Sequence, residues 1–167
     1  MISALAALIL AAPSSGLAVS VQIGKPPAPL STWFDPIEEE LVAAKVGVKR
    51  LTLACDGKRE CLLEGGRRAS VGSIVAVTLS HTKKQTTLDL EAMRVSDGVT
   101  VAQVTFTVNG VKYEDAARAQ VKRFAQQLAE ALIAEEKTAK TVTDVPVREP
   151  DNKLVVADVK PKIRLVG

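Results

Sequence analysis

The chain has 167 residues, about one domain with a tail, and 47% of them are apolar although Phe, Trp and Tyr together make only 3%. Its core must be built from Val, Leu, Ile and Ala, and a chain of this length can bury roughly two-thirds of its unfolded surface, which excludes disorder as the main state. With 22 Lys and Arg against 19 Asp and Glu there is no dedicated nucleic-acid surface, and one His with two Cys leaves little for catalysis or metal binding.

From Met1 to Gly24 no side chain is charged, and Ala4 to Ala12 is a continuous apolar run. That run has the length of a signal-peptide core and falls well short of the ~20 residues that span a bilayer. Gly16 and Ala18 place small residues ahead of a cut between Ala18 and Val19, so residues 1–18 are expected to be a secretory signal. The competing reading is a buried amino-terminal strand or helix.

Val19, Val21 and Ile23 alternate with polar or small residues as a short half-buried strand would. Lys25-Pro26-Pro27-Ala28-Pro29 then breaks regular structure. Asp35 is the expected N-cap of a helix with Pro36 at its first position, Glu38, Glu39 and Glu40 near its positive end, and Ile37, Leu41 and Ala44 on one face. This helix should end near Gly47, and Val48 to Ala54 reads as a second strand leading into Cys55.

Five residues separate Cys55 from Cys61. In a reducing compartment they would be free thiols; in an oxidising one they pair as a disulfide, worth about 2.4 kcal/mol in the chain-entropy model. A closed zinc site would need carboxylates besides these two Cys and His81, and a redox motif would need Cys-x-x-Cys. Lys58 to Ala69 suggests a short helix in which Gly65-Gly66 either ends the element or packs so closely that side chains are excluded. No Gly-Lys-Ser/Thr accompanies the pair, so it is not a phosphate loop.

Val71 to Leu79 is nearly unbroken apolar, as in a strand covered on both faces. After the Lys83-Lys84-Gln85 turn, Leu88, Leu90 and Ala92 point inward from the next strand, and Ser96-Asp97-Gly98 closes a hairpin. The third strand begins with Val99 and Val101 on one parity and continues with Val104, Phe106 and Val108 on the other, which requires a bulge near Ala102-Gln103. Asn109-Gly110 turns the chain into a helix of about Tyr113 to Glu135, striped by Ala117, Val121, Phe124, Leu128 and Leu132. The expected fold class is α+β: a mixed sheet with a three-strand antiparallel meander, packed by a long amphipathic helix and two shorter ones. The domain should cover 19–136, with 137–167 a tail or linker in which Lys153 to Val159 is a candidate edge strand.

Little of this carries chemistry. His81, at a strand end beside two lysines, reads as a solvated or capping residue; the alternative is an envelope hydrolase or metal protein using it with carboxylates. Consecutive Glu38, Glu39 and Glu40 point around a helix rather than to one spot. Basic pairs recur at Lys49-Arg50, Lys58-Arg59, Arg67-Arg68, Lys83-Lys84 and Lys122-Arg123. Were Lys58, Arg59, Arg67, Arg68, Lys83 and Lys84 to converge, they would hold a polyanion or a protein partner; no aromatics interleave with them for base stacking.

The order of elements resembles the amino-terminal α/β domain of TolB and the related domain of the curli-secretion lipoprotein, above all their Cys-bearing exported versions. Cys55, Cys61-Leu62-Leu63-Glu64, Gly72-Ser73-Ile74-Val75 and Leu88 to Val95 closed by Asp97-Gly98 carry the resemblance, over about 19–136. Val21-Gln22-Ile23-Gly24 departs from the Pro-Phe-type loop of that family, and Gly65-Gly66 from its single Gly. The resemblance implies a non-enzymatic role at the periplasm or outer-membrane periphery of a Gram-negative bacterium, exercised through envelope protein partners, with no cofactor. Strand addition at an exposed edge or through the carboxy-terminal tail is the expected mode. The alternative is a homo-oligomeric subunit of a secretion or motility complex.

Overall fold

The structure, a computed structural model, describes residues 13–143. Its elements run β1 (Ser14–Ile23), α1 (Leu30–Ala43), β2 (Gly47–Arg50), α2 (Arg59–Arg68), β3 (Ser73–His81), β4 (Gln85–Arg94), β5 (Thr100–Asn109) and α3 (Asp115–Thr143). One sheet holds all five strands in the order β2-β1-β3-β4-β5. β1 pairs in parallel with β2 and β3, while β3, β4 and β5 form the antiparallel meander. The fold is thus α+β with a mixed sheet and three helices, as the sequence predicts.

Strand periodicity divides the core between the two faces. Val75, Val77 and Leu79 of β3, Leu88, Leu90 and Ala92 of β4, and Ala102, Phe106 and Val108 of β5 meet Trp33, Phe34, Ile37 and Leu41 of α1 and the α3 stripe from Ala117 to Leu132. The alternate residues Ile74, Ala76 and Met93, with Val95, meet Leu62 and Leu63 of α2 on the other face. β3, buried on both sides, is the nearly continuous apolar strand that its sequence predicts.

Several boundaries differ from the sequence reading. β1 starts at Ser14, and its residues Ser14 to Leu17 make all four pairs with β2. Leu17 and Ala18 are fully buried, so a cut between Ala18 and Val19 would remove the first half of β1 and all its pairs with β2; residues 1–12 lie outside the described residues. The strand alternation expected at Val19, Val21 and Ile23 is broken by a register shift at Ser20, and Ile23 is exposed. Helix α1 begins six residues ahead of Pro36, which sits inside it, and Asp35 is therefore not its cap. It closes at Lys45, whose left-handed φ of 64° lets Val46 N–H bond Leu41 O and Lys45 N–H bond Val42 O. β2 is four residues, shorter than expected, and α3 continues to Thr143. The expected bulge falls at Val101: Ala92 pairs with Ala102 and Met93 with Thr100. The Lys153 to Val159 segment lies outside the described residues.

Candidate functional site

The structure joins Cys55 to Cys61 in a disulfide. Cys55 is buried and Cys61, in the first turn of α2, is half-buried, so the bond closes the end of the smaller core rather than presenting reactive sulfur.

The six basic residues do not form one patch. Arg67 and Arg68 both pair with Glu64 on their own helix. Arg59 reaches Glu91 at 2.9 Å and Thr100 Oγ1 at 2.8 Å, and donates to Gly98 O, holding the β4–β5 turn against the start of α2. These three lie toward the Ser73 end of β3, whereas Lys83 and Lys84 follow its His81 end, about 26 Å away at 3.3 Å per strand residue. Lys58 precedes α2 and is exposed.

His81 is not at a solvated strand end. Its side chain is buried on the helical face, 8% exposed, with its ring 5.7 Å from that of Trp33. Nδ1 shares a hydrogen bond of 3.0 Å with Thr86 Oγ1, while His81 Nε2 and Trp33 Nε1 are both buried without a partner among the described residues. Burial holds the His81 pKa below its ordinary value. Packed against Trp33 and largely withdrawn from solvent, the imidazole is poorly placed to meet a solvent-borne substrate.

The acidic run of α1 divides in the same way. Arg50 bonds Asp35 and Glu38, each at 2.6 Å, and Glu39 pairs with Arg118 of α3 at 3.3 Å. The hydrogen bond that Arg50 donates to Asp35, then the one it donates to Glu38, raises its pKa further. Asp35, Glu38, Glu39 and Arg50 border an open hollow of about 520 Å³, its carboxylates tied up in these ion pairs. No group of three or more His, Cys, Asp or Glu able to hold a metal occurs among the described residues.

Among the described residues, the outer edge of β5 has no partner strand. Odd residues of β4 turn their backbone toward β3: Gln85 O accepts from Thr82 N–H, and Val95 N–H, just beyond the strand, donates to Gly72 O. Even residues of β4 therefore bond β5, through Val108, Phe106, Val104 and Ala102. By the same alternation Gln103, Thr105 and Thr107 direct their N–H and C=O groups outward. Beside this edge lie two hollows of about 550 and 260 Å³, between β5 and the exposed flank of α3. Both include Gln103 and Gln127; Arg123 borders one and Glu130 the other.

Edge strands are ordinarily blunted by shortness, charge, proline or a covering loop. β2, at the other edge, has four residues including Lys49 and Arg50. Beyond it β1 is covered by the following loop, where Leu51 N–H bonds Leu17 O and Gly57 N–H bonds Ser20 O. β5 has ten residues, TVAQVTFTVN, without a charge or a proline, and its bulge at Val101 leaves 102–109 regular. The sequence reading found this strand but not its exposure, because periodicity does not say which strand ends a sheet. The absence of charge, against Asp89, Glu91 and Arg94 in β4, was the available signal.

The assembly of elements defines an α+β domain whose mixed sheet has helices on both faces and, among the described residues, an open edge at β5. No family model matches the chain, and no curated protein matches it. Similar solved structures include the PelC dodecamer from Paraburkholderia phytofirmans, at 14% identity over 70% of this chain and 88% of that one, TM-score 0.48. The LpoB C-terminal domain from Escherichia coli is 16% identical over 62% of this chain and 88% of that one, TM-score 0.45. TolB from Acinetobacter baumannii, 8% identical over 77% of this chain and 30% of that one, TM-score 0.37, is also among them. These are likenesses of fold.

Proposed function

We propose that the chain is a non-enzymatic protein-binding module of a Gram-negative cell envelope, which takes its partner by strand addition on the outer edge of β5. The observation that carries this reading is the run of outward amides at Gln103, Thr105 and Thr107, on a ten-residue edge strand with no charge or proline. Main-chain hydrogen bonds would supply affinity, and the groove beside α3 would select side chains of the added strand. The Cys55–Cys61 bond supports an oxidising compartment, where such a pair persists. Among the described residues no helix is long and apolar enough to cross a membrane. The basic residues Lys58, Arg59, Arg67, Arg68, Lys83 and Lys84 serve this reading as separate solvated groups and not as a polyanion site.

A photo-crosslinking side chain at position 105, compared in cells with one at Arg68 on the exposed side of α2, tests the assignment. Adducts are expected from position 105 and not from position 68. Equal yields, or none from position 105, would contradict it.

A further inference from the structure

We infer that the occupant of the β5 edge is a second copy of this chain, paired antiparallel about a two-fold axis near Gln103 and Gln127; the inference rests on the binding role given to that edge above. An antiparallel two-fold contact sets each strand against itself, so any charge on the strand would meet its own copy or a close neighbour. β5 has no charge to repel, and its outward positions Gln103, Thr105 and Thr107 are of the kind that pair across strands. The flank of α3 beside the edge does carry charge, and there the arrangement is self-complementary. Arg123 lies one turn before Gln127 and Glu130 about one turn after it, both exposed and neither in an ion pair among the described residues. With the axis at Gln127, antiparallel α3 helices bring Arg123 to the partner's Glu130, and Glu130 to the partner's Arg123.

The chain's own carboxy-terminal segment 153–159 is the competing occupant, and topology argues against it. β5 runs parallel to β1, through two antiparallel steps from β3, and α3 packs on the same face as α1. The β1–α1–β2 crossover advances toward the β2 edge, so a parallel strand placed beyond β5 after α3 would advance the other way on the same face. Its hand would be opposite to that of β1–α1–β2, and crossovers in sheets are right-handed almost without exception. An antiparallel strand there would require the chain to turn back along α3 from Thr143, against the direction of a 29-residue helix.

Sedimentation equilibrium on the full chain at micromolar concentration tests the inference. A mass of two chains is expected. Thr105→Pro deletes an N–H that points away from β4, so it should give one chain with unchanged far-ultraviolet circular dichroism. Arg123→Glu and Glu130→Arg should each weaken the dimer by about tenfold or more, and an equimolar mixture of the two variants should restore it, since each then meets opposite charges. If Thr105→Pro fails to fold, the charge-exchanged mixture decides alone: no recovery on mixing overturns the two-fold arrangement. A monomeric parent chain, or a dimer indifferent to these changes, also overturns it. A monomer whose position 105 still crosslinks to another envelope protein would leave the binding role standing; a monomer giving no such adduct removes both.

Discussion

His81 shows how far a side chain's surroundings can depart from its place in the sequence. It ends a strand and precedes two lysines, yet the inward parity of β3 carries its ring to Trp33, where burial disfavours the imidazolium. In the unfolded chain the same group titrates near 6.5. As pH falls through that value the unfolded chain takes up a proton that the fold accepts only at lower pH, so stability declines toward acid, by at most about 1.4 kcal/mol per pH unit for one proton. The urea midpoint should fall between pH 7.5 and 5.5, and His81→Gln should flatten that slope while lowering stability at both ends through loss of the ring contact. An identical slope in the variant would show that another group governs it.

At the scale of elements, the paired glycines of α2 set how closely that helix approaches the sheet. A Cβ on Gly66 would stand 2.7 Å from Val95 and 3.0 Å from Ile74, both buried side chains of the smaller core. A Cβ on Gly65 would stand 2.6 Å from Leu53 Cδ1, the end of a half-buried side chain that can swing aside. Each Gly→Ala change gains about 1 kcal/mol of helix propensity, and overpacking a rigid contact costs roughly 1–3 kcal/mol. Gly66→Ala should therefore lower the stability read by urea unfolding, and Gly65→Ala should leave it nearly unchanged or raise it; the reverse order would place the tight contact at Gly65. The sequence already allowed for this pair inside a tightly packed helix, since Cys61, Leu62 and Leu63 precede it on an apolar side. The strand order of the meander was also legible, because alternation from Leu88 to Ala92 and the change of parity after Val101 are local patterns. The start and end of α1 were not. Pro36 and Asp35 look like a first turn, but the burial of Trp33 and Phe34 draws the helix back to Leu30. Its end has Lys45 where a left-handed turn ordinarily has Gly, and α2 closes the same way through Ser70. What lies beside what across the sheet, including the open edge of β5, depends on contacts between distant segments that no local pattern records.

For the molecule as a whole, the decisive segment is the start of β1. Among the described residues this strand alone joins β2 to the rest of the sheet, and α1 is anchored on the same face by Leu17 and Val75 among others. A chain beginning at Val19 would lose every β1–β2 pair, the β1–β3 pairs from Ser15 to Ala18, and the fully buried Leu17 and Ala18. Two core side chains and a parallel ladder together are of the same order as the roughly 5–15 kcal/mol by which domains are ordinarily stable. The competing sequence reading, a buried amino-terminal strand, thus describes residues 14–18, and a cut between Ala18 and Val19 would leave an exported product unable to close its sheet. Two purified chains, one starting at Pro13 and one at Val19, separate these outcomes. The first should give a cooperative thermal transition by circular dichroism and the second none. A cooperative transition of similar midpoint in the shorter chain would show that α1 and β2 dock without this strand, and would return the domain boundary to residue 19.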